Sequence, residues 1–98
     1  MMLGLEFDSK AKDLFRSFRA LLAVDKIAQF SSDNFRQYNL DRFVEDKQHG
    51  IGGLFAVWKH EGLIKIVGEE RSILPSNNMR FIHVYVLTAK GAAWKDES

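Results

Sequence analysis

The sequence predicts a single α+β domain in which three helices precede a two-stranded ribbon and a short C-terminal segment. Apolar residues recur at helical spacing in two stretches, 9–24 and 51–58. Two apolar stretches rich in β-branched residues, 63–67 and 81–87, flank a polar segment that contains the only proline. A length of 98 residues is enough for one hydrophobic core and too short for two.

Helix 1 is predicted from Ser9 to Val24. Its apolar residues follow the three-and-four spacing that places them in one stripe along a helix. They are Ala11, Leu14, Phe15, Phe18, Leu21 and Leu22. Asp8 or Ser9 is the expected N-terminal cap, because either side chain can accept a hydrogen bond from the first unpaired N–H groups.

Helix 2 is predicted to open at the capping cluster 31–34, Ser-Ser-Asp-Asn, and to continue to about Tyr38. The following segment, 39–47, has two interpretations. It is either an extension of helix 2 or a separate turn. In the second interpretation three apolar side chains enter the core, namely those of Leu40, Phe43 and Val44.

Helix 3 is predicted to follow a break at residues 48–50 and to end at Gly62. Its inward stripe has the spacing i, i+3, i+4 and i+7 and consists of Ile51, Leu54, Phe55 and Trp58. Gly62 lies where a left-handed glycine commonly ends a helix. Residues 63–67 then form the first strand of the ribbon.

A polar loop is predicted over residues 68–80, with a turn at 76–78. The second strand covers 81–87. Thr88 is expected to cap a short helical turn that returns Trp94 to the core, where Phe18, Phe55 and Trp58 are also expected.

The composition indicates a folded, soluble protein. Hydrophobic residues make up 46% of the chain and charged residues 28%, which is a globular balance. The absence of cysteine excludes disulfides and thiolate zinc sites and permits a reducing compartment. The N-terminus does not have the pattern of a signal peptide, and no apolar run approaches the roughly 20 residues of a membrane span. A cytoplasmic location without a membrane partner is therefore expected.

The net charge is only +1, so composition alone does not indicate a partner. Basic and acidic residues are nearly balanced in both halves of the chain. Any basic surface must therefore be assembled by folding.

Several short motifs occur between residues 31 and 88. They are Gly52-Gly53-Leu54-Phe55, Glu61-Gly62-Leu63-Ile64, Val67-Gly68, Ser72, Pro75-Ser76, Arg80 and Val84-Tyr85. This run resembles the small winged helix-turn-helix domains encoded by bacterial and archaeal viruses and other mobile elements. The resemblance implies one winged-helix domain over 1–98, with a helix-turn-helix at about 31–62 and a wing at about 63–87.

The resemblance also implies that helix 3 and the wing contact DNA, which corresponds here to residues 48–60 and 71–80. One departure concerns Ala56 and Val57, which occupy outward or flanking positions where many such domains are more basic. This departure favours modest affinity for DNA, or a partner other than DNA.

Polar residues bracket the inward stripe of helix 3, and their side chains can donate to base edges or phosphates. They are Gln48, His49, Lys59 and His60. The alternative is that they are ordinary solvated residues. Because a recognition helix usually reads DNA with its N-terminal end, the expectation is strongest for Gln48 and His49.

Three glycines, Gly50, Gly52 and Gly53, cluster at the start of helix 3. Without side chains, they would let the helix N-terminus lie close to a phosphate. In the alternative, Gly50 serves a turn and Gly53 lets helix 3 cross helix 2 closely.

The wing carries two cations and several small hydrogen-bonding groups suited to a phosphate backbone or a minor groove. They are Arg71, Ser76, Asn77, Asn78 and Arg80. The alternative is a solvated hairpin in which the neighbouring acids Glu69 and Glu70 repel phosphate.

No enzymatic activity, metal, cofactor or small-molecule substrate is expected. The histidines at 49, 60 and 83 lack metal-binding spacing, and the chain has neither a phosphate-binding glycine loop nor a Gly-x-Ser-x-Gly elbow. Tyr38, Tyr85 and His83 are expected to be packing or strand-face residues.

The leading hypothesis is a double-stranded DNA-binding protein, acting as a transcriptional regulator or an accessory factor. A homodimer is a candidate assembly, because one module gives a small interface and helix 1 or the C-terminal segment can supply the contact. The first alternative is a winged helix used for protein contact in a replication or recombination assembly. A second is a phage-encoded inhibitor of a host enzyme, which no residue pattern favours.

Overall fold

A computed structural model of the chain describes residues 7–44, 50–72 and 81–95. Over these residues the protein is α+β, with four α-helices and a two-stranded antiparallel sheet. The elements in chain order are α1 (Ser9–Val24), α2 (Ser32–Gln37), a 3₁₀ turn (Leu40–Phe43), α3 (Gly50–His60), β1 (Ile64–Arg71), β2 (Phe81–Leu87) and α4 (Ala89–Ala93). Of the helices in this part of the chain, none combines the length and apolar character needed to cross a membrane.

The predicted bounds and cap of α1 are confirmed. The Asp8 carboxylate accepts a hydrogen bond from the Ala11 N–H at 2.9 Å, which satisfies one of the unpaired donors of the first turn. The predicted stripe is buried except for Leu21, which is half-buried.

The start of α2 is a capping box. The Ser31 hydroxyl accepts from the Asp33 N–H at 3.2 Å, and the Asn34 side chain accepts from the Ser31 N–H at 2.9 Å. The helix ends at Gln37, and Asn39 has a left-handed backbone with φ of 60°. This conformation interrupts the helix, so the segment that follows is a separate turn.

Within that turn the expected burial is wrong for Phe43. Leu40 is buried and Val44 is half-buried, but Phe43 is 43% exposed. The turn ends at Phe43, and the Arg42 guanidinium lies 4.7 Å from the centre of its ring. The ring therefore packs against a neighbouring cation instead of the core.

The C-terminus of α3 is closed by the predicted glycine. Gly62 has φ of 80°, its N–H donates to the Lys59 carbonyl at 2.9 Å, and the Leu63 N–H donates to the Trp58 carbonyl at 3.0 Å. These two bonds form a Schellman motif, which a glycine in the left-handed region stabilises. The motif turns the chain directly into β1.

The ribbon is longer than predicted. β1 continues through Arg71, so the expectation of a loop from residue 68 is wrong for 68–71. A bulge at Val67 shifts the register, and pairing resumes at Gly68 opposite Val84. Polar residues form a strand here because the β1 side chains beyond the bulge are exposed, while β2 satisfies the backbone groups.

A single antiparallel bridge joins β2 to the segment between α1 and α2. The Phe30 N–H donates to the Tyr85 carbonyl at 3.0 Å, and the Tyr85 N–H donates to the Phe30 carbonyl at 2.7 Å. The sequence pattern shows Phe30 only as part of a short apolar stretch. The bridge attaches the ribbon to the helical core.

The core contains a cluster of aromatic rings, as predicted for Phe18, Phe55 and Trp58. The fully buried rings are Phe15, Phe18, Phe30, Phe35, Phe55 and Trp58. Most of their contacts are edge-to-face at centroid distances between 5 and 6.5 Å, which is a favoured geometry for aromatic pairs. The Trp58 indole N–H donates to the Ala11 carbonyl at 3.2 Å, so its polar atom is also satisfied.

The C-terminal turn forms as predicted. The Thr88 hydroxyl accepts from the Gly91 N–H at 2.9 Å and caps α4, and half-buried Trp94 packs edge-on against Phe15 at 5.4 Å. The Arg19 guanidinium donates to the carbonyls of Gly91 and Trp94 at 3.0 Å and 2.6 Å. α1 thereby holds the C-terminal segment in place.

Candidate nucleic-acid interface

Helix α3 has one buried and one exposed face. The predicted inward stripe, Ile51, Leu54, Phe55 and Trp58, is buried. The residues exposed to solvent are at the spacing i, i+4, i+7 and i+8, which places them together on the opposite side of the helix. They are Gly52, Ala56, Lys59 and His60, with Gly53 and Val57 half-buried beside them.

The exposed face of α3 is small and free of acidic groups. The helix contains no Asp or Glu, and a methyl group built at Gly52 would meet no atom within 4 Å. A partner could therefore approach the backbone of the first turn, where helix N–H groups carry partial positive charge.

The basic side chains on this face are at the C-terminal end of α3. Lys59 and His60 lie in its last turn and are exposed. Cations in the last turn also stabilise a helix by interacting with its dipole, which is the alternative interpretation of both residues.

Gly50 has a conformational reason for being glycine. It begins α3 with φ of 57°, in the left-handed region that other residues adopt only with strain. This geometry agrees with the alternative in which Gly50 serves a turn. Two predicted contact residues that precede it, Gln48 and His49, lie outside the described residues.

The two faces of the ribbon differ in chemistry. Residues directly opposite each other in an antiparallel pair share a face. One face carries the pairs Ile66–Tyr85, Glu69–His83 and Arg71–Phe81, and the other carries Lys65–Val86, Gly68–Val84 and Glu70–Ile82. Aromatic rings are thus confined to the first of these faces, which we call the aromatic face.

Arg71, a predicted phosphate contact, lies on the aromatic face. Its guanidinium is 5.0 Å from the centre of the Phe81 ring, a cation–π arrangement. The other predicted wing contacts, Ser76, Asn77, Asn78 and Arg80, lie outside the described residues.

The two acids that repel phosphate in the alternative interpretation of the wing are separated by the strand geometry. Glu69 is on the aromatic face, where its carboxylate lies 3.8 Å from Nδ1 of His83. Glu70 is on the opposite face, across from Ile82. Only one of the two carboxylates therefore shares a face with Arg71.

A buried contact that the sequence pattern did not indicate joins the ribbon to α2. The Ser72 hydroxyl lies 2.9 Å and 3.0 Å from the two carboxylate oxygens of Asp33, and both residues are buried. No local pattern could reveal this pair, because the residues are 39 positions apart.

The two tyrosines are packing residues, as expected. Tyr85 contacts Phe30 and Phe55, and burial raises the pKa of its hydroxyl. Burial and a 2.6 Å hydrogen bond to Asp25 raise the pKa of Tyr38 to about 12. Among the described residues, no group of three or more His, Asp or Glu side chains is placed to hold a metal ion.

Comparisons of the chain with protein-family models, curated proteins and solved structures found no match.

Proposed function

We propose that this chain is a winged helix-turn-helix protein that binds double-stranded DNA, as a transcriptional regulator or an accessory factor. In this proposal α3 enters the major groove and the β1–β2 ribbon lies on the sugar–phosphate backbone. The element order supports the proposal, because three helices followed directly by a ribbon are compatible with a winged-helix layout.

The observation that carries the proposal is the exposed face of α3. That face has no acidic side chain, has its smallest residues in the first turn and ends in Lys59 and His60. A helix of this kind can approach the phosphate backbone closely without charge repulsion. The opposite stripe is fixed in the core, so the exposed face has a defined orientation.

The residue types on the same face indicate how strongly α3 would discriminate between DNA sequences. Bidentate readout of bases mostly uses Arg, Lys, Asn, Gln, Asp or Glu, and from Gly50 to His60 the only such side chain is Lys59. Phosphate contacts would therefore supply most of the affinity over this part of the chain. Strong sequence discrimination would require residues outside it, such as Gln48.

Fluorescence anisotropy with a mixed-sequence duplex at low salt tests the proposal. We expect measurable binding that weakens when Lys59 and His60 are both replaced by alanine. Lys10→Ala is the matched control, because it removes an exposed cation from α1 rather than from α3. Equal losses in both proteins would indicate a general charge effect and would contradict the role of α3.

A second candidate function is protein contact, as in a replication or recombination assembly. It is favoured by exposed Ala56 and half-buried Val57 on α3, together with exposed Ile66 and Val67 on the ribbon. An apolar surface of this kind can bury area against another protein. A folded protein that binds no duplex even at low salt would favour this second function.

A further inference from the structure

We propose that the ribbon carries a base-stacking site, in which the Phe81 ring stacks on an unpaired nucleobase of a DNA duplex. This inference rests on the proposed DNA-binding function and specifies its substrate. The preferred ligand would be a duplex that contains an unpaired base, rather than a perfectly paired one.

The first supporting observation is the exposure of Phe81. It is 65% exposed, whereas the six buried aromatic rings of the core are almost completely inaccessible. One exposed apolar residue is common on protein surfaces and has no functional meaning alone. The neighbours of Phe81 on the aromatic face indicate which kind of ligand the exposed ring would bind.

The second observation is the position of Arg71. It is paired with Phe81 in the ribbon register, and its guanidinium lies 5.0 Å from the centre of the ring. A guanidinium stacks through its plane and donates hydrogen bonds through its edge. Aromatic rings and arginines are the groups on which proteins stack unpaired bases, and a nearby cation can attract the phosphate of the same nucleotide.

The third observation is the charge balance of the aromatic face. Glu69 lies on this face beside His83, and their pair is the next one on this face after Arg71 and Phe81. A carboxylate at this position would oppose a row of phosphates along the ribbon. A neutral planar base with a single adjacent phosphate fits this combination of ring, cation and carboxylate, so the backbone contact of this face would be one phosphate, at Arg71.

The aromatic character of this face continues toward the core. The His83 and Tyr85 rings follow Phe81 at alternate positions of β2, with their centroids 6.1 Å apart. Tyr85 in turn contacts the buried ring of Phe55. The exposed ring is therefore at the outer end of a row of rings whose inner end is fixed in the core.

The test compares two duplexes of equal length and charge by anisotropy at one low salt concentration. One is fully paired, and the other has an abasic site that leaves 2-aminopurine unpaired on the opposite strand. We expect the wild-type protein to bind the second duplex about tenfold more tightly, in line with the usual contribution of stacking one base on an aromatic ring. The 2-aminopurine fluorescence should change on binding.

Phe81→Ala should remove this preference and the fluorescence change while retaining affinity for the paired duplex. Phe81→Trp should restore both. Phe43→Ala is the matched control, because Phe43 is also an exposed phenylalanine against an arginine, but it lies in the 3₁₀ turn. This control should behave as wild type. Circular dichroism of each variant checks that the fold is intact.

Equal wild-type affinity for the two duplexes would overturn the stacking site and leave the proposed DNA-binding function standing. The same conclusion would follow if Phe43→Ala lost the preference as fully as Phe81→Ala. Binding to neither duplex would overturn both proposals. The two failures are therefore distinguishable in one experiment.

Discussion

The hydroxyl of Ser72 donates to the carboxylate of Asp33, whose two oxygens lie 2.9 Å and 3.0 Å away, and both residues are buried. Asp33 is in the first turn of α2, and Ser72 directly follows β1. The contact therefore joins the C-terminal end of β1 to α2, the helix that precedes α3. It is a side-chain link between α2 and the ribbon, and only the ribbon is proposed to contact DNA.

Ser72→Ala should lower the free energy of unfolding by about 1–3 kcal/mol, because the buried Asp33 carboxylate loses a hydrogen-bond donor. Urea denaturation measures the effect. Ser17→Ala, on the exposed side of α1, is the control and should change stability by less than about 0.5 kcal/mol. If both variants unfold at the same urea concentration, the Asp33–Ser72 link does not stabilise the fold.

Gly91→Ala should destabilise the protein because α4 packs directly on the start of the ribbon. A Cβ at this position would lie 1.9 Å from the Leu63 carbonyl oxygen and 2.8 Å from its carbon. Both atoms belong to the backbone, so α4 must shift away, and Trp94 with it. We expect a loss of about 1–3 kcal/mol or more in thermal unfolding, as for other overpacked sites. An unchanged melting temperature would show that α4 is not held closely against Leu63.

Gly52→Ala should have the opposite effect on stability. The added methyl group would meet open space, and alanine favours a helix over glycine by roughly 0.5–1 kcal/mol. If the first turn of α3 lies against a phosphate, the same variant should bind duplex DNA more weakly despite its greater stability. A more stable variant with unchanged DNA affinity would contradict close approach at this position.

Tyr38 should titrate far above an ordinary tyrosine. Burial and the hydrogen bond to Asp25 raise its pKa from 10.0 to about 12. The folded state therefore keeps a proton that the unfolded state loses above pH 10. The resulting contribution to stability is complete below pH 10 and is lost as the pH rises towards 12.

The near-ultraviolet absorbance of tyrosinate follows this titration in a Tyr85→Phe background, which leaves Tyr38 as the one tyrosine. Asp25→Asn should lower the midpoint, because it replaces the charged acceptor with a neutral amide. Equal midpoints in the two proteins would show that Asp25 does not influence the Tyr38 hydroxyl.

Local signals in the sequence were sufficient for most of the fold. The apolar stripes of α1 and α3, the caps at Asp8 and Thr88 and the left-handed Gly62 each depend on neighbours within a few residues. Interactions of this kind are encoded by spacing and residue type alone.

The features that were predicted wrongly or missed are those that depend on tertiary contacts. The extent of β1 depends on pairing with β2 across a polar stretch, and the exposure of Phe43 depends on where the 3₁₀ turn meets the core. The Asp33–Ser72 contact joins distant parts of the chain. Composition and periodicity contain no information on such pairs, so these features required the three-dimensional arrangement.

The most direct test of the central claim is the salt dependence of duplex binding, measured by anisotropy for the wild type and for a variant with Arg71 and Arg80 both replaced by alanine. For the wild type we expect the logarithm of the affinity to fall linearly with the logarithm of salt concentration. Its slope should correspond to several displaced counterions, at about 0.9 per phosphate contact.

The double variant should remain folded, because Arg71 is exposed and exposed substitutions usually change stability by less than about 0.5 kcal/mol. It should bind more weakly, with a shallower slope than the wild type. A wild-type protein that binds no duplex at low salt, or binds it with no dependence on salt, would contradict DNA binding through α3 and the ribbon.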